Sequence, residues 1–188
     1  MAFNKEEDKL IQDCLKGKKK GQKKLYEKYA APMMGVCLRY LKNTTDAEDA
    51  LQDGFVIVFR KIHQLKSKNS LKGWIYKIMV NTCLENLKRK KKIIFDEGYI
   101  DSYDHHQMNA DNNYGYFLSE DKLMELVRSL PDQYRVVFNM YVIDGFKHRE
   151  IAGSLEISVN TSKSNLLRAR KMLKHKIDIY LNELEQIR

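Results

Sequence analysis

Polar and cationic side chains recur along one side of a predicted helix near the C-terminal end of the chain. At about 100° per residue, that side carries Asn160, Ser164, Leu167, Arg168 and Lys171, with Lys163 flanking them. The opposite side carries a stripe at steps of three and four residues: Val159, Ser162, Leu166, Ala169 and Leu173. No acidic residue lies between Glu156 and Asp178, whereas surface helices commonly pair both signs of charge. A helix with a packed back and a cationic, hydrogen-bonding front suits the major groove of DNA. The alternative is a surface helix with solvated lysines.

A shorter helix is predicted just before this one. Ile151, Ala152 and Leu155 would face inward in it, and the Ser158 hydroxyl would cap the helix that follows. The turn between the two helices contains Glu156, where a left-handed backbone would cost roughly 1–2 kcal/mol. The pattern predicts two short helices joined by a tight turn.

Carboxylates cluster near residue 50 of a chain whose formal net charge is +9. Asp46, Asp49 and Asp53 are three and four residues apart, so they share one face of a helix predicted from Thr45, and Gln52 lies beside them. Favourable charge at a helix N-terminus explains Asp46 but not Asp53, which lies beyond the first turn. Two interpretations stay open: a stabilised helix start, or a docking surface for a basic partner. A magnesium site is disfavoured because no fourth ligand is in sight.

Basic and aromatic side chains alternate in the next segment. The cations are Lys66, Lys68, Lys72, Lys77, Lys88, Arg89, Lys90, Lys91 and Lys92, and Trp74, Tyr76 and Asn81 are interleaved with them. Cations that follow phosphates and pockets that accept unstacked bases are the chemistry of single-strand binding. For Trp74 itself, a place in the core is the favoured interpretation.

The elements that position these residues are predicted to be helices. The chain has only two prolines and little strand-like alternation. We expect helices over residues 5–15, 45–65 and 71–91, and a further helix whose inward stripe is Leu25, Tyr29, Met33, Val36 and Tyr40. Residues 55–59 have the composition of a strand. They nevertheless belong to a stripe at helical spacing, so a helix is predicted: Leu51, Phe55, Val58, Phe59, Ile62 and Leu65.

The character of the chain changes after residue 92. Residues 96–117 are dominated by Asn, Asp, Gly and Tyr, which cannot bury a core, so a linker is predicted there. The sequence thus predicts an all-α protein with two small helical domains, residues 1–92 and 120–188, joined by an acidic linker at residues 93–119. Two interpretations of this linker stay open: its acidic side chains occupy a basic channel of a partner protein, or it serves as a solubilising tether.

Several functional classes are disfavoured by composition. The three cysteines lie far apart without a CxxC pair, and the histidines show no ligand spacing, so neither a metal nor another cofactor is predicted. No nucleophile arrangement or Gly-rich phosphate loop is found, so an enzyme is not expected. The N-terminus lacks an apolar signal core and no run of 18 apolar residues exists, which predicts a cytoplasmic protein without membrane insertion. The pI of about 9.3 suits a polyanionic partner.

Two parts of the chain resemble bacterial RNA polymerase sigma factors, specifically the small extracytoplasmic-function (ECF) group. Residues 46–53, DAEDALQD, resemble the core-binding segment of sigma region 2, and residues 71–78, LKGWIYKI, followed by Asn81, resemble its promoter-melting helix. Residues 130–138, LPDQYRVVF, begin a similarity to region 4 that continues through residues 144–146, 150–152, 161–164 and 168–170. These motifs occur in the order found in that family.

The resemblance implies specific roles for the residues that match. It implies polymerase binding by Asp46, Asp49, Gln52 and Asp53. It implies binding of the minus-ten element by Lys66, Lys68, Asn69, Lys72, Lys77, Asn81, Lys88 and Arg89. It implies binding of the minus-thirty-five element by Asn160, Thr161, Lys163, Ser164, Asn165, Leu167, Arg168 and Lys171.

The implied function is that of an alternative sigma factor, which directs promoter recognition and DNA opening without catalysing a reaction. The implied partners are core RNA polymerase, promoter DNA and an anti-sigma factor. A free-standing helix-turn-helix regulator is the alternative, but it leaves the carboxylates near residue 50 without a role.

Overall fold

The computed structural model describes residues 5–65, 71–89 and 118–186. Within these ranges every regular element is helical, which confirms the all-α prediction. The chain divides into two compact units, Met1–Lys90 and Lys91–Arg188. No helix in the described part of the chain is long and apolar enough to span a membrane. The predicted division at residues 92 and 120 stays a prediction, because residues 93–117 of the expected linker lie outside the described ranges.

The described part of the first unit is a helical bundle. Its elements are α1 (Lys5–Leu15), α2 (Lys19–Tyr40), α3 (Thr44–Lys61), a 3₁₀ turn at Ile62–Gln64, and α4 (Leu71–Arg89). Helices α2, α3 and α4 pack against one another, and α1 packs on α2. The inward stripe expected for α2 is buried, as predicted: Leu25, Tyr29, Met33, Val36 and Tyr40. Removal of these side chains from water is the main stabilising contribution to the bundle.

The apolar residues 55–59, which have the composition of a strand, are helical and belong to α3. Phe55 and Val58 are buried while Val56 is exposed, which is a period of three to four and not of two. The helix begins one residue earlier than predicted because Asn43 caps it: its Oδ1 accepts the Asp46 backbone N–H at 2.7 Å. Gly54 lets α3 approach α4 closely, since a Cβ at this position would overlap the Met79 thioether.

Polar contacts attach α1 to α2. The Tyr29 hydroxyl donates to Glu7 Oε1, and Lys28 Nζ contacts the same oxygen at 2.9 Å. These two hydrogen bonds, that from Tyr29 first, lower the pKa of the Glu7 carboxyl. Gly21 permits the close crossing, because a Cβ there would lie 2.6 Å from Asp13 Cβ.

The described part of the second unit contains shorter helices followed by one long helix. They are α5 (Glu120–Arg128), α6 (Asp132–Phe138), a π-helical turn at Asn139–Ile143, α7 (His148–Leu155) and α8 (Val159–Gln186). The π-helical turn, closed by the Asp144 N–H to the Asn139 carbonyl at 2.9 Å, has no counterpart in the sequence prediction.

The core of the second unit lies between α5, α6 and α8. Leu126, Val127 and Leu130 pack against Ala169 and Leu173.

A fully buried charge joins this core. Arg135 is 0% exposed, and its guanidinium donates to the Leu130 carbonyl at 3.0 Å and lies 2.8 Å from Asp132 Oδ1. Burial lowers the pKa of Arg135, and Asp132 opposes that effect. The ion pair lies within α6, and the hydrogen bond to the Leu130 carbonyl ties α6 to the turn that follows α5.

Candidate nucleic-acid and protein interfaces

The turn between α7 and α8 has the predicted geometry. Glu156 is left-handed (φ 59°, ψ 41°), and the next N–H, that of Ile157, donates to the Ala152 carbonyl at 3.1 Å. Ser158 Oγ accepts the Thr161 backbone N–H at 2.9 Å, which confirms the predicted cap. Because the turn is tight and capped, the two helices form a helix-turn-helix.

The first turns of α8 present most of the predicted polar face to solvent. Four residues of this face are exposed: Asn160, Lys163, Leu167 and Lys171. Ser164, Arg168 and the neighbouring Thr161 are half-buried. The opposite stripe is buried as predicted, except that Val159 is only half-buried. The geometry therefore places a cationic and hydrogen-bonding face where a groove of DNA can reach it.

Asn165 does not belong to this exposed face, although it is among the residues predicted to bind the minus-thirty-five element. The residue is 2% exposed and lies among the inward side chains of α8. At about 100° per residue it falls roughly 100° from Ser164, on the packed side. Hydroxyls of two neighbouring residues are also engaged within the helix: Ser164 Oγ donates to the Thr161 carbonyl at 3.0 Å, and Thr161 Oγ1 lies 2.8 Å from Ser158 Oγ.

His148 connects the two helices of the motif. Its Nδ1 lies 2.9 Å from Ser162 Oγ, and its ring stacks on Tyr141 with centroids 4.4 Å apart. Partial burial lowers the pKa of His148, and the nearby cations Lys163 and Arg170 add to this effect. The imidazole thus connects the start of α7 to α8, and the lowered pKa favours its neutral form.

The acidic face of α3 is formed by fewer residues than predicted. Asp49, Gln52 and Asp53 are exposed on it, whereas Asp46 is buried at 7% exposure. Asp46 is the third residue of α3, where a side chain turns back over the helix start and a carboxylate is favoured. The stabilised helix start accounts for this burial, and the supporting role in polymerase binding predicted for Asp46 stays a prediction.

The basic face of α4 is narrow. Lys77, Asn81 and Lys88 are exposed on one side of the helix, with Trp74 half-buried beside them. Lys72 is exposed at the first turn, and Arg89 lies on the side that faces α3. The remaining candidates, Lys66, Lys68 and Asn69, lie outside the described residues. The structure does not bring Lys72 and Arg89 to the face that Lys77 and Asn81 share.

A groove between α3 and α4 was not predicted from the sequence. It has a volume of about 360 Å³ and is lined by Asp53, Val56, Ile57, Arg60, Thr82, Glu85, Asn86 and Arg89. Asn86 is 4% exposed, and neither atom of its amide has a hydrogen-bond partner among the described residues. The sequence could have indicated a buried amide here, because Asn86 occupies an inward position of α4 between the buried Cys83 and Leu87.

Within the described ranges, no group of three or more His, Cys, Asp or Glu side chains lies close enough together to bind a metal ion. The three cysteines are buried and not in disulfides.

Comparison with known families matches both units. A model of sigma-70 region 2 matches residues 25–93, and a model of sigma-70 region 4 matches residues 120–173. The first match contains the acidic face of α3 and all of α4, and the second contains the helix-turn-helix.

Individual relatives are similar over nearly the whole chain. The ECF RNA polymerase sigma-E factor of Haemophilus influenzae is 24% identical over 94% of this chain and 98% of its own length. The ECF RNA polymerase sigma factor SigW of Bacillus subtilis is 25% identical over 90% of this chain and 95% of its own. Among solved structures, the sigma factor RpoE from Bartonella quintana, in complex with the anti-sigma factor NepR, has a TM-score of 0.52 and 18% identity. That similarity covers 84% of this chain and 96% of the other, and it supports the fold.

Proposed function

Because the chain belongs to the extracytoplasmic-function group of the sigma-70 family, we propose that it is an alternative sigma factor, which binds core RNA polymerase, selects promoters and opens them. The observation that carries this proposal is the match of region 2 and region 4 to the two compact units, in that order. A free-standing helix-turn-helix regulator accounts for the second unit alone.

The first unit is proposed to dock on the polymerase through Asp49, Gln52 and Asp53. Exposed carboxylates on one helix face attract a basic partner and raise its association rate. On α4, Lys77, Asn81 and Lys88 offer cations and an amide on the exposed face beside Trp74, which suits single-stranded minus-ten DNA. Lys66, Lys68 and Asn69 are proposed to assist from the segment before α4.

The second unit is proposed to read the minus-thirty-five element. Arg168 supplies the forked donor that pairs with guanine, Ser164 and Asn160 supply hydrogen bonds, and Leu167 supplies an apolar contact suited to a thymine methyl. Lys171, one turn further along α8, is proposed to contact phosphates, which strengthens binding without regard to sequence.

The chain is proposed to catalyse no reaction itself and to act in the cytoplasm, where the polymerase works. An anti-sigma factor is proposed as a further partner. The support for it is the similarity to a sigma factor that was crystallised with its anti-sigma factor.

Binding to core polymerase in the absence of DNA tests the proposal against its rival. We expect the full-length chain to form a one-to-one complex with core enzyme, measured by fluorescence anisotropy of the labelled chain. A chain that binds promoter DNA tightly alone and shows no affinity for core enzyme would instead be a free-standing regulator.

A further inference from the structure

The groove between α3 and α4 contains a buried amide that the fold leaves unsatisfied. Asn86 is 4% exposed, lines the groove, and has no hydrogen-bond partner among the described residues for either Oδ1 or Nδ2. Buried polar groups are nearly always hydrogen-bonded, so each exception needs an explanation. A hydrogen-bonding ligand that enters the groove would explain the unsatisfied amide of Asn86.

The rim of the groove is charged but balanced. Asp53 and Glu85 contribute two carboxylates, and Arg60 and Arg89 contribute two guanidinium groups. Val56, which is 62% exposed, adds an apolar surface at the edge. A net-neutral rim around an uncharged amide fits a protein segment that carries both signs of charge better than it fits a polyanion.

The groove is continuous with the acidic face of α3. At about 100° per residue, Asp49, Asp53, Val56 and Arg60 fall within about 60° of one another around the helix. Asp53 therefore belongs both to the exposed acidic face and to the lining of the groove. A partner that lies along this face of α3 reaches the groove without any change in direction.

We propose that this groove is part of the polymerase contact, and that Asn86 is a specificity-determining residue within it. This inference rests on the proposed function, because the partner is core RNA polymerase. The polymerase segment that lies along α3 would insert a carboxamide or peptide group, which donates to Asn86 Oδ1 and accepts from Asn86 Nδ2. Charged side chains on either side of that group would pair with the rim.

Replacement of Asn86 by leucine separates a binding role from a structural one. Leucine has a similar shape and removes an unsatisfied amide, so the thermal unfolding midpoint of the first unit should rise by roughly 4 °C. The single tryptophan, Trp74 on α4, reports this unfolding by fluorescence. Affinity for core polymerase should nevertheless fall about tenfold, because one to two hydrogen bonds are lost and the inserted polar group is left unpaired. Asn182→Leu, the same change at an exposed position of α8, should leave the affinity unchanged.

Cysteine labelling tests occupancy of the groove directly. Cys14, Cys37 and Cys83 are all buried, so Val56→Cys adds a single exposed thiol at the edge of the groove. A maleimide should modify this thiol rapidly in the free chain and at least about tenfold more slowly in the complex with core enzyme, as read by mass spectrometry of the chain.

Three results would overturn the inference. Unchanged core affinity in Asn86→Leu, with Asp49 and Asp53 substitutions still abolishing binding, would reject the groove and keep the docking face. Slow labelling of Val56→Cys in the free chain would mean that another part of the chain already covers the groove. Normal core affinity with slow promoter opening would assign Asn86 to DNA. By contrast, unchanged affinity in the Asp49 and Asp53 variants would reject the proposed docking face itself.

Discussion

At the scale of single residues, exposure decides which of the candidate contacts can act. Asp49 and Asp53 are exposed on α3, while Asp46, only one turn earlier, is buried at the helix start. Spacing in the sequence placed all three on one face and could not distinguish them, because burial at a helix start depends on the segment that folds over it. The same holds for Asn165, which was predicted among the residues that bind the minus-thirty-five element but lies inward.

The double substitution Asp49→Lys with Asp53→Lys should abolish binding to core polymerase without unfolding the chain. Exposed ion pairs contribute about 1 kcal/mol or less each, but reversed charges repel a basic partner, so affinity should fall on the order of 100-fold. Glu48→Lys is the matched control, since Glu48 is exposed on α3 but points away from this face. A double variant that still co-purifies with core enzyme would place the docking surface elsewhere.

Arg168→Ala should change which bases are preferred at the minus-thirty-five element. A bidentate arginine contact discriminates against the wrong base by about 1–3 kcal/mol, so preference should relax at one or two positions. Lys174→Ala, two turns further along α8, should weaken all sequences alike and reduce the salt dependence. Base preference and overall affinity of both variants can be measured with holoenzyme on a library of mutated upstream elements. Uniform weakening for Arg168→Ala would make it a phosphate contact.

At the scale of elements, the sequence predicted the helices and the Ser158 cap, because both depend on local spacing, but it missed the Asn43 cap at the start of α3. The helix over residues 55–59, predicted against a strand, and the Ser158 cap are both confirmed. The π-helical turn and the groove at Asn86 were not predicted, since they depend on how neighbouring helices pack. Gly54 illustrates this limit: its role in the close approach of α3 to α4 becomes visible only once Met79 is placed against it.

Glu156→Gly should stabilise the second unit. Glu156 adopts a left-handed backbone, which costs a residue with a side chain roughly 1–2 kcal/mol and costs glycine nothing comparable. After the extra flexibility of glycine in the unfolded chain, a net gain of about 0.5–1 kcal/mol is expected. Ser154→Gly, in the last turn of α7, should have the opposite sign, because Ser154 is helical and glycine disfavours a helix. Denaturant unfolding followed by circular dichroism measures both, and a loss of stability in Glu156→Gly would contradict the assigned backbone strain.

Glu7 should make the stability of the first unit depend on acid pH. The Tyr29 and Lys28 hydrogen bonds lower its folded pKa below the ordinary 4.5, so the stabilisation is present above pH 4.5 and is lost as pH falls through the folded pKa. Glu7→Gln should therefore be less stable at pH 7 and should lose less stability on acidification. Trp74 fluorescence during urea unfolding at several pH values measures this. Parallel pH profiles for the two proteins would mean that Glu7 is not coupled to folding.

At the scale of the whole molecule, a sigma factor needs both units to act in one complex. In the proposed function, the acidic face of α3 binds the polymerase and the polar face of α8 binds duplex DNA. Core polymerase links these surfaces in the proposed function, and the α4 face acts once strands separate. The family matches support separate roles for the two units, because the first matches region 2 and the second matches region 4.

Promoter opening by the reconstituted holoenzyme is the most direct test of that claim. Run-off transcription and permanganate footprinting should be measured on a panel of promoters with the chain alone, core enzyme alone and both together. We expect specific transcripts and reactive thymines near the minus-ten element only when the chain and core enzyme are both present, with slower opening for Asn81→Ala. A chain that protects promoter DNA equally with or without core enzyme, and supports neither opening nor transcription, would contradict it.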